Sequence, residues 1–150
     1  MLGEEKQELG QLLMLTLRDF QRRLDHDLEA SAFPGIRYRH RAVFMHLDRH
    51  GASRSVDLAA AAGIRPQSMM KIVHELEQLG YVSRRADPAD SRAKLIEFTL
   101  EGQQVIQRLG RSTELVWEQY ARLLGNRELR QLTRSLARLL AMSEEEERDG

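Results

Sequence analysis

At Gly80 the chain changes its hydrophobic period, and that change limits what it can fold into. Up to Leu79 the apolar residues recur every three or four positions, the spacing of one face of a helix. Beyond Gly80 come two short β-type runs, Tyr81-Val82-Ser83-Arg84-Arg85 and Lys94-Leu95-Ile96-Glu97-Phe98. Between them, Ala86-Asp87-Pro88-Ala89-Asp90-Ser91-Arg92 is turn chemistry throughout. After Thr99 the helical spacing returns. The expectation is a mainly α chain carrying one small β-hairpin with a charged tip.

The helices can be placed from their stripes and stops. The first runs from about Glu4 to Ala30 on Leu9, Leu12, Leu13, Leu17, Phe20, Leu24 and Leu28, and ends before Pro34-Gly35. The second, about Tyr38 to Arg49, turns Ala42, Val43, Met45 and Leu47 inward and stops at Gly51. Ser55 caps a short helix, Val56 to Ala62, and Gly63 breaks it. With Ile64 as an apolar plug, Pro66 opens a helix that runs to Leu79. There Met69, Ile72, Val73, Leu76 and Leu79 face the core and leave Gln67, Ser68, Met70, Lys71, His74, Glu75 and Gln78 outside. Thr99 caps a helix from Leu100 to about Leu124, and Asn126 caps a last one with Leu129, Leu132, Leu136, Leu139 and Leu140 on one stripe.

With 150 residues, 41% hydrophobic and only 5% aromatic, the chain suits one helical domain packed with aliphatic side chains. It has no cysteine, which excludes disulfides, thiolate metal ligands and thiol-based sensing. The first ten residues are acidic without a leader-like apolar run, and no stretch of about 18 apolar residues occurs, so a soluble cytoplasmic protein without a membrane partner is expected. The formal charge is zero, but it is unevenly spread. Residues 32–94 hold 11 basic side chains against 6 acidic ones, while both flanks are net acidic. The middle third is where a polyanion is attracted.

Two helices joined by a short turn, with the second one exposed, form a helix-turn-helix. A helix matches the major groove of duplex DNA, about 12 Å wide, and a hairpin tip can reach phosphates or the adjacent minor groove. The N-terminus of the second helix, at Arg65, Pro66, Gln67 and Ser68, offers free backbone N–H groups to phosphate. Ordered along residues 55–102 stand Ser55-Val56-Asp57-Leu58-Ala59, Gly63-Ile64, Leu76-Glu77-Gln78-Leu79-Gly80-Tyr81-Val82-Ser83-Arg84, Asp87-Pro88-Ala89-Asp90-Ser91-Arg92 and Phe98-Thr99-Leu100-Glu101-Gly102. In that succession the chain resembles the MarR (multiple antibiotic resistance regulator) family.

The resemblance implies a winged helix-turn-helix over residues 37–99 on a helical dimerisation frame, residues 1–36 and 100–150. It implies a homodimer that reads a near-palindromic operator in double-stranded DNA, acting as a transcriptional repressor. By position, Gln67, Ser68, Met70 and Lys71 approach bases and phosphates in the major groove, with Ser55 and Arg65 beside them. His74 approaches the backbone and Arg92 the minor groove, and Asp90 holds the wing arginine. Met70 departs from the small hydroxyl residue usual in the family, and an apolar contact with a thymine methyl takes its place. Of Arg84 and Arg85, one lines DNA and the other pairs with an acid such as Asp87, and the sequence does not separate them.

Other readings compete for particular residues. Arg37, Tyr38, His40 and Arg41 either hold a small aromatic acid, as family members often do, or form a basic face near DNA or a dimer partner. His46 and His50, four apart, with His40 earlier, have ligand-like spacing but no cysteine or firm carboxylate, so surface histidines are expected and no metal or cofactor. No nucleophile elbow, phosphate loop or dinucleotide fingerprint is present, so an enzyme is not expected. A winged module that docks protein or single-stranded nucleic acid without ligand control is the alternative. It requires stacking aromatics on the exposed face, where only Tyr81 is near, and Tyr81 is expected in the core.

Overall fold

The computed structural model describes residues 2–149, with the side chains of residues 2–4, 7, 144, 147 and 149 left aside. Positions 1 and 150, the ends of the expected dimerisation region, lie outside the described residues. The order is α1 (Leu2–Glu29), one 3₁₀ turn (Tyr38–His40), α2 (Arg41–His50), α3 (Ser55–Ala62), α4 (Pro66–Gln78), β1 (Val82–Asp87), β2 (Asp90–Phe98), α5 (Leu100–Leu124) and α6 (Asn126–Asp149). The chain divides into two compact units, residues 1–113 and 114–150.

The core of the first unit gathers Leu28 of α1, Ile36 of the following loop, Val43, Phe44 and Leu47 of α2, Leu58 of α3, Met69, Val73 and Leu76 of α4, and Val105 and Leu109 of α5. The hairpin adds Val82 and Ile96. Phe44 stacks on Phe98 with ring centroids 5.6 Å apart and leans on Tyr81 at 6.5 Å. This differs from the expected inward set of α2. Ala42 and Met45 are exposed, because Val43, Phe44 and Leu47 share one face and Phe44 supplies the volume that seats the hairpin. Ile64 and Leu79 are likewise partly exposed instead of plugging the core. In the second unit Val116 and Leu129 are buried, while Leu132, Leu136, Leu139 and Leu140 stay exposed. On α1, Leu24 and Leu28 are buried but Leu9, Leu12, Leu13 and Leu17 are not.

The hairpin is longer and its turn tighter than the sequence suggests. The strands pair antiparallel from Val82↔Phe98 to Ala86↔Lys94, and then shift register so that Asp87 faces Asp90. Pro88-Ala89 makes the turn, because Asp87 Oδ1 accepts the Ala89 N–H at 2.9 Å and so closes the loop with a side chain. Ser91, Arg92 and Ala93 fall in the irregularity of β2, where a bulge re-aims side chains. Ser53 adds a one-residue third strand, exchanging two hydrogen bonds with Ile96 (3.0 and 2.8 Å).

The start of α5 fastens the hairpin to the helices. Thr99 Oγ1 accepts the Gly102 N–H at 3.1 Å, the expected cap, and donates to the Gly80 carbonyl at 2.6 Å. Gly102 is obligatory here, since a Cβ at that position would sit 2.0 Å from the Tyr81 carbonyl oxygen. The other two caps differ from expectation. Ser55 is the first helical residue of α3, not its cap, because Asp57 and Leu58 both donate to the Arg54 carbonyl. Asn126 is likewise the first residue of α6, and Gly125 precedes it with φ +81°.

Candidate nucleic-acid interface

Three residues, Gly63 to Arg65, join α3 to α4. Gly63 has φ +64°, which lets its N–H and that of Ile64 turn back onto the Ala60 and Ala59 carbonyls. Arg65 is extended, and Pro66 occupies the first turn of α4, where its missing N–H has no consequence. On α4, Met69, Val73 and Leu76 anchor the inner face, and Gln67, Ser68, Met70, Lys71 and His74 are exposed on the outer one. Those five therefore share an exposed surface beginning at the helix N-terminus, and Pro66, the sixth expected contact residue on α4, is exposed at its start.

The wing lies beside it. A recess of about 360 Å³ gathers Ser55 of α3, Met70 of α4 and Arg84, Arg92 and Lys94 of the hairpin. So Ser55, Met70, Arg84 and Arg92, spread over 38 positions of sequence, line one surface. Arg85, one position on in the strand, points elsewhere and pairs with Glu97 at 2.9 Å.

Pairing divides the eleven middle-third cations into two populations. Five are engaged with carboxylates: Arg37 with Glu29 (3.0 Å), Arg39 with Glu75 (2.9 Å), Arg54 with Asp87 (2.6 Å), Arg84 with Glu77 (3.0 Å) and Arg85 with Glu97 (2.9 Å). Arg41 is half-buried and donates to Thr113 Oγ1 at 3.0 Å. Among the described residues Arg49, Arg65, Lys71, Arg92 and Lys94 have no carboxylate within 4.0 Å. Four of these five sit at the start of α4 or on the wing.

Several expected roles change accordingly. Neither Arg84 nor Arg85 pairs with Asp87, and both have other carboxylate partners. The Arg84 Nε is buried and lies near Glu77 without an aligned hydrogen bond. Asp90 does not hold the Arg92 guanidinium; its Oδ1 accepts the Arg92 main-chain N–H at 3.0 Å, which shapes the tip and leaves the side chain free. Asp87, only 7% exposed, is instead the fixed acid of the wing. The Ala89 N–H and the Arg54 guanidinium hold its carboxyl below the usual carboxylate range, and the same contact raises Arg54. Arg54 was missed by sequence reasoning because its partner lies 33 positions away with no periodicity to connect them.

Glu75, expected to be exposed, is engaged from the side of the 3₁₀ turn. His40 is fully buried: its Nδ1 accepts the Arg37 N–H and its Nε2 donates to Glu75 Oε2, each at 2.9 Å. Arg39 Nε donates to the same oxygen at 2.9 Å. Burial lowers the His40 pKa, and the two donors lower that of Glu75. Helix α4 is thus tied by Glu75 to the 3₁₀ turn and by Glu77 to Arg84 of the wing.

A second cleft, about 490 Å³, is lined by Tyr38, Arg39, Arg41, Met45, Ile64 and Ile72 among others. Of the four expected ligand residues it receives Tyr38 and Arg41. His40 is buried with both ring nitrogens used, and Arg37 is turned to Glu29. The ring centroids of His46 and His50 are 4.5 Å apart, and no group of three metal-ligating side chains occurs among the described residues. Tyr81 is in the core, donating from its hydroxyl to the Pro34 carbonyl at 3.3 Å. No described helix is long and apolar enough to cross a membrane.

A short helix propping an exposed one, with a hairpin fastened beside both, defines a winged helix-turn-helix. A family model described as MarR family matches residues 35–93, so over that segment the chain is similar to the MarR family. It is 32% identical over 95 residues to an uncharacterized HTH-type transcriptional regulator of Mycobacterium bovis and, equally, to an HTH-type transcriptional regulator of Mycobacterium tuberculosis. The match takes in 63% of this chain and 65% of either relative. The fold is also that of a mutant MarR from E. coli solved in complex with operator DNA: TM-score 0.80, 19% identity, 93% of this chain and 99% of that one. A MarR family transcription regulator at 16% identity has the same TM-score and covers 99% of this chain and 96% of its own.

Proposed function

We propose that the chain is a homodimeric, sequence-specific DNA-binding transcriptional regulator, a repressor that acts in the cytoplasm by binding and not by catalysis. The observation that carries the reading is the segregation of charge: among the described residues, Arg65, Lys71, Arg92 and Lys94 are left without carboxylates along the outer edge of α4 and the wing. Unpaired cations on an exposed helix and an adjacent hairpin suit phosphates on either side of a major groove. Gln67, Ser68 and Met70, between them, face the base edges. The exposed leucines of α1, and separately those of α6, each supply apolar surface that a second copy would cover, and two-fold pairing sets two heads on successive major grooves, about 34 Å apart. Residues 1–36 and 100–150 serve as that dimerisation region.

The test is fluorescence anisotropy with labelled promoter duplex over a range of salt. Affinity should fall steeply with salt and favour a palindrome over random DNA. Binding that ignores salt, or shows no sequence preference, overturns the reading.

A small organic acid as effector is the finer part of the proposal. It rests on Arg41, a half-buried guanidinium with no carboxylate partner among the described residues, lowered in pKa by burial, at a cleft that also holds Arg39 and Tyr38 beside Ala42, Met45, Ile64 and Ile72. Thermal unfolding against a panel of aromatic acids should show stabilisation that Arg41→Ala abolishes. A panel with no stabilising member removes the effector.

A further inference from the structure

Arg39 belongs to two places at once. It lines the cleft beside Tyr38 and Arg41, and it is the exposed donor to Glu75 of α4. Glu75 lies one helical turn beyond Lys71, and a single oxygen, Oε2, accepts both the Arg39 and the His40 bond. His40 is buried and committed at both nitrogens, whereas Arg39 is 55% exposed along its side chain. The junction therefore has one fixed donor and one that can be drawn away.

We propose that the Arg39–Glu75–His40 junction is the device by which an organic anion in the cleft alters DNA binding: the anion takes the Arg39 guanidinium from Glu75 and slackens the hold on α4. The inference rests on the effector reading above and names its route to the DNA-facing helix. The chemistry favours exchange, since an incoming carboxylate offers Arg39 the same charge-assisted bonds that Glu75 offers, with Arg41 as a second cation in the same cleft. On the other flank of α4 the Glu77–Arg84 pair is left untouched, so the helix is loosened on one side only. By linkage, whatever the anion does to DNA affinity, DNA does in reverse to anion affinity.

The charge change in Glu75→Gln makes the proposal testable without any ligand. Removing a negative charge from a DNA-facing helix should, by Coulomb attraction alone, tighten DNA binding. The junction predicts the opposite: Glu75→Gln binds the promoter several-fold more weakly than the wild type at the same salt, as an anion-loaded protein would. Tighter or unchanged binding overturns the junction and leaves the effector reading standing. Arg39→Gln, on an exposed side chain, provides a second variant with the same expectation, and thermal unfolding verifies that both are folded.

Calorimetric titration with benzoate supplies the second half of the test. Wild-type protein should bind benzoate and lose about fivefold or more in DNA affinity when saturated. Glu75→Gln, whose Arg39 is already free, should bind benzoate several-fold more tightly while its DNA affinity no longer responds. A merely structural role for Glu75 would not strengthen benzoate binding. If benzoate binds and still weakens DNA binding in Glu75→Gln, the junction is overturned alone. If benzoate does not bind the wild type, the cleft reading falls and the junction with it.

Discussion

The cations at the wing root and those at the α4 and wing-tip edge are the same residue types put to opposite uses. At the root, Arg54, Arg84 and Arg85 are each paired with an acid of another element, and they hold the hairpin to the residue before α3, to α4 and to its own partner strand. At the edge, Arg65, Lys71, Arg92 and Lys94 have no carboxylate within 4.0 Å of their side chains among the described residues. A net charge counted along the sequence weights both groups equally. What distinguishes them is whether a carboxylate lies within reach in the fold, and only the unpaired group is available to release counterions from DNA.

The comparison can be broken most completely where both regions depend on one contact. Gly102→Ala places a methyl group against the Tyr81 carbonyl. It should cost about 3 kcal/mol in urea unfolding, with root and edge lost together. Next in size, the double variant Lys71→Ala/Arg92→Ala should weaken promoter binding roughly thirtyfold at physiological salt and reduce the slope of log affinity against log salt by about 2. Arg54→Ala should also weaken binding, on the order of tenfold, by releasing the wing, yet leave the salt slope of the wild type. An Arg54 variant with a reduced slope would put Arg54 in the edge group.

Acidity sharpens the contrast further. The folded His40 pKa lies below its ordinary 6.5, so the unfolded chain takes up the proton first and stability falls as pH drops below 6.5. Glu75 and Asp87, also lowered, add to that loss only at lower pH, below their ordinary 4.5 and 3.8. His40→Gln should flatten the first part of the urea-unfolding profile against pH and leave the second. The smallest effect belongs to Arg85→Ala, a pair exposed on both sides. It should change stability by about 0 to 1 kcal/mol and leave the salt slope unaltered.

Much of the fold was legible because helical and strand periods are local. The change at Gly80 located the hairpin, and the Thr99-x-x-Gly102 start of α5 was read with its cap correctly placed. The outer face of α4 followed from the spacing of Met69, Val73 and Leu76. What escaped was set by tertiary partners. Whether Arg84 or Arg85 faces DNA was undecidable because Glu77 and Glu97, their acids, come from different elements. His40 looked like a ligand residue in a basic run, and only the fold shows it buried against Glu75, 35 positions later. Phe44 was overlooked on α2 because its value lies in stacking on Phe98, which no helical stripe records. The wing turn was drawn too long because Asp87 replaces a backbone bond with its own carboxylate, a substitution that composition alone cannot reveal.

The fastening of the wing has a consequence for how such a protein can diversify. Arg54, Asp87, Glu77, Arg84 and Gly102 secure the head, and none of them belongs to the exposed set Gln67, Ser68, Met70 and Lys71. Under the proposed function, the four positions assigned to operator reading can therefore be rewritten without touching the joints that keep the head assembled. A library randomised at those four exposed positions should be a collection of folded proteins with different preferences, in which new specificities arise by drift across a surface whose scaffold stays silent.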